Sequence, residues 1–473
     1  MRRSYMTKGL QSPPMRARTW IKRLVVVATL GVATAGVLPP TLPTSPAVSA
    51  DGMGAGGEFH PLTPERIHDT RKGINDLVRP GKKATSTSGS SYTVQIAGEG
   101  GVPADPADVL AVVLNVTVAD PEARGNLGIS PSGSAAGTSS LVNFLPGRNV
   151  PNLAIVGVGS DGKVSVKLTT VSPSRAHVII DVFGWISKSG ADVTAGARLI
   201  PVPPGRIADT RKSGGALGGG ESLSVQMRGA DASDPDVTDI VPARDTVSAV
   251  MVNITAVNRQ NGSRATNVSA TPVLQTSAAT TSNTNVPAGA VKANTAIVPI
   301  GPDGKVHFRN NAGNLHLAID VLGYFEAVDD DATTGRIIPL DAPFRAFDTR
   351  GAAFGNVPLG HGTQEDWSFR KFAQSVTLGD TVLDQQSALI GNLTGARFAP
   401  LADWASKTTY LSAYPGGTSR PTTSNVNVPL GENVPNMSLL TYGTSDGDPY
   451  VLQVYNNSGS IHYVLDVYAI VLK

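Results

Sequence analysis

The sequence contains no cysteine among its 473 residues, which excludes disulfide staples and thiolate chemistry from any account of its stability or activity. Charge is scarce as well. Asp, Glu, Lys and Arg make up 16% of the chain, against about 25% in ordinary globular domains. Aromatic residues are held to 5%. The apolar run Leu24 to Leu38 spans 15 residues, short of the roughly 20 that a membrane-spanning helix requires. What the chain has in quantity is turn residues, 51 Gly and 34 Pro, beside a 40% hydrophobic fraction. That combination buries too much apolar surface for disorder and describes many short strands joined by turns.

The first 50 residues carry seven basic side chains (Arg2, Arg3, Lys8, Arg16, Arg18, Lys22, Arg23) and no acid. A basic segment, the short apolar run and the closing Val48-Ser49-Ala50 have the form of a secretory signal peptide cut after Ala50, with a retained membrane anchor as the alternative. The Arg2-Arg3 pair stands about twenty residues before the apolar run, so it does not fix a twin-arginine export route. Removing the seven basic residues leaves 32 Lys plus Arg against 37 Asp plus Glu, a net charge of −5. A mildly acidic mature chain without clustered Lys and Arg argues against nucleic acid or an anionic membrane as partner.

Self-comparison exposes the unit of folding. Arg66-Ile67-His68-Asp69-Thr70-Arg71 returns as Arg206-Ile207-Ala208-Asp209-Thr210-Arg211 and as Arg345-Ala346-Phe347-Asp348-Thr349-Arg350. Asn115-Val116-Thr117 matches Asn253-Ile254-Thr255 and Asn392-Leu393-Thr394. Ser140, Asn143, Gly147 and Asn152 align with Ser282, Asn285, Gly289 and Asn294, then with Ser424, Asn427, Gly431 and Asn436, every step being 142 residues. Each copy closes on a His and an Asp four residues apart: His177 and Asp181, His316 and Asp320, His462 and Asp466. A period near 140 residues exceeds that of solenoids and propeller blades, so each copy is expected to be a domain with its own core.

The organisation that follows is a signal peptide over 1–50, a short segment over 51–57, and module 1 over 58–187. A linker over 188–198 leads to module 2 over 199–326, and a linker over 327–335 to module 3 over 336–473. Val109 to Val118, with its copy Val247 to Val257, reads as a strand buried on both faces. Asp161-Gly162 and Asp303-Gly304, each between two apolar runs, signal hairpins. The predicted fold is all-β: three tandem antiparallel β-sandwiches of eight to ten strands each, of jelly-roll or other Greek-key type.

The R-x-x-D-T-R, N-x-T, S-x-x-N, G-x-x-x-x-N and H-x-x-x-D-V signatures resemble a repeat of exported proteins in high-GC Gram-positive bacteria. The resemblance covers residues 58 to 473 and implies surface or secreted modules with no established enzymatic activity. The third copy departs from it at Asp446-Gly447-Asp448, at Ala469 in place of the Gly of Asp181-Val182-Phe183-Gly184, and in a longer loop around Trp404.

The repeated polar residues have structural and functional readings. Arg66 is expected to reach Asp181 on the closing strand while Asp69 caps a turn or pairs with Arg71, and likewise Arg206 with Asp320 and Arg345 with Asp466. The competing reading makes these guanidinium groups contacts for an anion or a carbohydrate. His177 with Asp181 resembles part of a catalytic triad, yet the chain has no Cys and no H-E-x-x-H zinc signature. A packed or hydrogen-bonded histidine is expected instead. Asn115, Asn253 and Asn392 read as buried side chains satisfying backbone groups, and Asn143, Asn152 and their copies as turn residues. No cofactor is expected; calcium held by Asp69, Asn143 and Asp181 is the one metal reading. Trp185, Trp367 and Trp404 fall at non-equivalent positions, so no aromatic sugar platform repeats.

These readings converge on a secreted, non-catalytic extracellular or cell-surface scaffold or adhesion protein. Its expected partners are cell-wall glycan or other surface proteins. The alternative is a binder of cell-wall or extracellular polysaccharide in grooves between modules, and the third reading is a secreted hydrolase. Three like modules could also pack about a pseudo-threefold axis within one chain.

Overall fold

The computed structural model describes residues 22–24, 55–74, 84–86, 91–134, 139–171, 173–191, 193–194, 196–234, 236–330, 332–370, 377–378, 381–382, 386–401 and 407–473. The proposed signal peptide lies outside them except for Lys22–Leu24, a short strand running parallel to Asp366–Ser368.

In module 1 the eight principal strands are β1 (Phe59–Asp69), β2 (Ser91–Gln95), β3 (Val109–Ala119), β4 (Gly125–Pro131), β5 (Val142–Phe144), β6 (Val150–Gly157), β7 (Lys163–Thr170) and β8 (Ser174–Ser187). They form two sheets, ordered β1-β8-β3-β6 and β2-β7-β4-β5. This is the strand order of a jelly roll, in which the first and last strands lie side by side and successive strands cross between sheets. Module 2 repeats it with β9 (Ala197–Asp209), β10 (Ser222–Gln226), β11 (Val247–Val257), β12 (Thr266–Thr271), β13 (Thr284–Val286), β14 (Val291–Pro299), β15 (Lys305–Asn310) and β16 (His316–Ala327). Module 3 does so with β17 (Ile337–Asp348), β18 (Gln364–Ser368), β19 (Gln386–Ala399), β20 (Thr408–Pro415), β21 (Val426–Pro429), β22 (Val434–Thr441), β23 (Asp448–Asn456) and β24 (Ser460–Leu472). The fold is all-β, and its modules are jelly-roll sandwiches.

The topology corrects the reading of the Asp-Gly turns. Asp161-Gly162 joins β6 to β7 and Asp303-Gly304 joins β14 to β15, strands of opposite sheets, so neither turn closes a hairpin ladder. Gly162 and Gly304 sit at φ 74° and 76°, the left-handed conformation that tight turns need whether or not the strands then pair.

Each opening strand carries a bulge just after its first signature arginine: Arg66 faces Asp181 and His68 faces Ile180, leaving Ile67 as the extra residue. Ile207 and Ala346 occupy the same position in β9 and β17. A bulge re-aims the side chains beside it, and here it turns Arg66, Arg206 and Arg345 toward the closing strand. A second irregularity accompanies Phe183 and Gly184 in β8. A Cβ on Gly184 would lie 2.3 Å from the Phe59 ring and 2.7 Å from the His60 carbonyl.

All eleven residues of β3 are buried, and β8, β16, β19 and β24 are buried almost throughout. A sandwich strand ordinarily alternates between core and solvent. Here the first sheet of each module packs its inner face on its own second sheet and its outer face on the other modules. The apolar cluster around module 1 accordingly takes in Met251, Leu322 and Phe325 from module 2 and Ile390, Leu439 and Tyr468 from module 3. Phe59 and Phe325 meet across one junction with ring centroids 4.5 Å apart. Backbone pairing reinforces the union. Phe59 pairs Ala197, Gly57 bridges Ile337 in both directions, and the Leu199 amide donates to Gly335. The three opening strands therefore begin around a common centre, and the chain forms an intramolecular pseudo-trimer.

Candidate functional site

The R-x-x-D-T-R segments fold into one latch per module. Arg66 donates to both oxygens of Asp181, from Nε at 2.7 Å and Nη2 at 3.2 Å. Arg206 holds Asp320 at 2.7 and 3.1 Å, and Arg345 holds Asp466 at 2.8 and 3.0 Å. The signature Asp is clamped by the arginine two residues on: Asp69 accepts from the Arg71 amide at 2.9 Å, Nε at 3.0 Å and Nη2 at 2.7 Å. The same fork recurs at Asp209 with Arg211 and at Asp348 with Arg350. Between them, the Thr70 hydroxyl accepts from the Val178 amide at 3.1 Å and lies 2.9 Å from His177 Nδ1. Thr210 with His316 and Thr349 with His462 copy this arrangement. Burial alone would raise the Asp69, Asp209 and Asp348 carboxyls, but the arginine forks and amides outweigh it and hold all three below the ordinary value. At Asp181 and Asp320 desolvation prevails and pushes the carboxyls up despite the paired guanidinium.

The N-x-T asparagines are buried and do satisfy backbone carbonyls, as the sequence predicts, but those carbonyls belong to the next module. Asn115 donates to the Ser282 carbonyl at 2.6 Å, Asn253 to Ser424 at 2.6 Å, and Asn392 to Ser140 at 2.8 Å. The three bonds run from module 1 to 2, from 2 to 3, and from 3 back to 1, closing a ring. Asn152 and Asn436 join it, donating to the Asn392 and Asn253 side-chain oxygens at 2.9 and 3.0 Å. Their own oxygens accept from the amides of Met437 and Thr295.

The turn reading of Asn143 and Asn152 is thereby corrected. Asn152, Asn294 and Asn436 lie inside β6, β14 and β22, fully or almost fully buried, and each donates to a carbonyl of its own module besides. Asn143, Asn285 and Asn427 sit in the short edge strands β5, β13 and β21. The calcium reading also loses its ligands. Both oxygens of Asp69 and Asp181 are taken by guanidinium groups, and Asn143 stands on the other sheet.

The triad reading of His177 with Asp181 separates into two structural pairs, since the histidine meets Thr70 and the aspartate meets Arg66. Module 2 holds a different serine–histidine contact, Ser224 Oγ to His307 Nδ1 at 2.8 Å. Asp303 stands 3.8 Å from His307 Nε2, beyond hydrogen-bond reach. Trp185 is buried against His60, ring centroids 4.0 Å apart, and Trp367 is buried with its indole N–H donating to Tyr463 at 2.7 Å. Trp404 lies outside the described residues.

Where one module leans on the next, an open cleft remains. Between modules 1 and 2 it is lined by Arg148, Asn149, Thr266, Asn267, Asn285 and Asn311. Between modules 2 and 3 the corresponding cleft encloses about 380 Å³. Arg206, Arg211, Thr255 and Arg259 form one wall, and Thr409, Tyr410, Ser424, Asn427 and Asn457 belong to the other. The side chain of Arg211 is 44% exposed there, so the latch arginine also presents a free edge. The latch and contact readings of the signature are therefore not exclusive at this junction. Nothing in the sequence singles out Tyr410 or Arg259, because neither repeats.

A further group missed from the sequence is Glu58 with Arg198 and Arg336. Each stands at the start of an opening segment, so the three meet at the common centre. Glu58 accepts from Arg198 at 3.1 Å and from Arg336 at 3.3 Å, and Arg198 also pairs with Asp330. The signal was a charge of changing sign at one offset of the repeat.

The sequence matches no protein-family model and no curated protein. Among solved structures, the chain is similar at a TM-score of 0.17 to the tandem CBM22-1-CBM22-2 domain of Paenibacillus barcinonensis Xyn10C, with 9% identity over 57% of this chain and 100% of that one. It is similar at 0.14 to an archaeal virus protein of triple jelly-roll fold, with 10% identity over 88% of this chain and 90% of that one. A Sulfolobus Turreted Icosahedral Virus chain gives the same score and identity over 88% and 99%. The fold assignment rests on the strand order, not on these likenesses.

Proposed function

We propose that this protein is a secreted, non-catalytic extracellular scaffold with an adhesive role, delivered as one rigid three-module body. The observation that carries the reading is the use made of the thrice-repeated polar residues. Arginine, aspartate, threonine and histidine fasten the opening strand of each jelly roll to its closing strand, and the asparagines fasten each module to the next. The hydroxyls of Thr70, Thr210 and Thr349 that meet the histidines each also accept a backbone amide of the closing strand, which supports a fastening role for them. The basic-apolar start of the chain supports the extracellular reading.

The test is direct. Sequencing the amino terminus of the protein recovered from culture medium and from washed cell surfaces should give Asp51 as first residue. Purified mature protein should bind whole cells while turning over none of a panel of ester and glycoside substrates. Recovery only from the cytoplasm, or measurable hydrolysis lost on His307→Ala, would overturn the reading.

A further inference from the structure

We propose that the cleft between modules 2 and 3 binds an anionic saccharide, with Arg211 and Arg259 taking its acid group and Tyr410 with the threonine-rich wall taking its sugar ring. This rests on the adhesion reading only in placing the ligand outside the cell.

The lining is selective in its chemistry. Three guanidinium groups, Arg206, Arg211 and Arg259, face the space and no acidic side chain among the described residues lines it, in a mature chain whose net charge is negative. Arg206 is spent on Asp320. Arg211 uses Nε and Nη2 on Asp209, and Arg259 uses Nε on Gly289 and Nη2 on Thr408. In both, Nη1 has no partner among the described residues. These arginines are thus held in place from behind with donors to spare, the condition under which a guanidinium loses least freedom on taking up a carboxylate or phosphate.

The remaining surface is hydroxyl and amide: Thr255, Thr408, Thr409, Thr422, Ser424, Asn427 and Asn457, against two valines, Val257 and Val291. An acidic peptide would answer the arginines alone, whereas a saccharide pairs its acid group with them and its hydroxyls with this wall. Tyr410 adds a half-buried ring, and its hydroxyl makes no hydrogen bond to a described residue. The ring is braced by Tyr455 at 6.4 Å, over which the Arg420 guanidinium sits at 3.9 Å. The corresponding residue in modules 1 and 2 is Asn126 or Asn267, so at this position of the repeat the aromatic ring belongs to module 3, while the cleft against module 1 has Phe144 in its lining.

Affinity electrophoresis of the mature protein through gels containing polygalacturonate, a phosphomannan, polyglutamate or dextran tests the assignment. Retardation by polygalacturonate or the phosphomannan, reversed by added salt, is expected, and the polymer that retards more identifies the acid as carboxylate or phosphate. Arg259→Gln should weaken retention about tenfold, the loss of one charge-assisted contact, and Tyr410→Ala should weaken it by removing the ring face, each with the melting temperature little changed. Arg211→Lys, which keeps the charge and breaks the fork, should weaken it with a lower melting temperature. The proposal fails if neither anionic glycan polymer retards the protein, if polyglutamate or dextran retards it equally, or if Arg259→Gln and Tyr410→Ala bind as wild type. Cell binding that persists through such a failure would leave the scaffold reading standing and remove this cleft from it.

Discussion

Replacing Asp320 by Asn is the sharpest perturbation of the latch. The carboxylate is fully buried and accepts two charge-assisted bonds from Arg206, itself 7% exposed at the side chain. The isosteric amide keeps one acceptor and presents an N–H₂ to a cation. Removing one partner of a buried pair costs about 3–5 kcal/mol, and the retained acceptor places this variant near 3 kcal/mol. The temperature shift then depends on how much chain melts together. Unfolding entropy is about 2.1 cal/mol/K per residue, so one module of about 140 residues would lose roughly 10 °C, whereas about 420 residues melting as one unit would lose only about 3 °C. The asparagine ring and the shared apolar cluster couple the modules, and the smaller shift in a single calorimetric transition is expected. An unchanged transition would refute the latch. A separate transition some 10 °C below the rest would refute the coupling and keep the latch. The double variant Arg206→Met with Asp320→Leu should recover much of the loss, because apolar replacement removes both buried charges at once.

Other outcomes follow from the same geometry. Small-angle scattering of the mature protein should give a radius of gyration near 22 Å for one compact body of about 420 residues, against about 33 Å for three modules in a row. Replacing Asn253 by Leu, which strips the Ser424 carbonyl and the Asn436 amide of a buried partner at one junction, should cost about 2–3 kcal/mol and move proteolysis to the linker over 327–335. Phe59→Ala should cost about 3–5 kcal/mol, since its ring fills the junction with Phe325. Asp209 titrates below its unfolded value near 4, so the stability it brings is complete above that pH and is lost as pH falls through the lowered value. The melting-temperature gap between wild type and Asp209→Asn should therefore be widest near neutrality and shrink as pH falls below the unfolded value and through the lowered folded one.

What was legible from residues alone was whatever the three copies repeat. The pairing of Arg66 with Asp181 could be read because a charge on an opening strand recurs with an opposite charge on a closing one. Asn115 was read as buried, but its partner lies 167 positions away in another module, and no local spacing encodes which module it faces. The apolar run of β3, broken by Asn115 and Thr117, held a clue of the same kind, since a sandwich strand with apolar side chains on both faces must be covered twice. Asp161-Gly162 misled because the residues that make a tight turn say nothing about whether the flanking strands share a sheet. The cleft between modules 2 and 3 escaped notice because Tyr410 and Arg259 break the repeat, and a search for sameness discards such positions.

The site where Glu58 meets Arg198 and Arg336 shows what joining three units in one polypeptide makes available. Three separate identical subunits would bring three glutamates or three arginines to that point, and their mutual repulsion would push the assembly open. Covalent succession lets each position change independently, so one acid can neutralise two bases, and it keeps the stoichiometry at three however dilute the surroundings become.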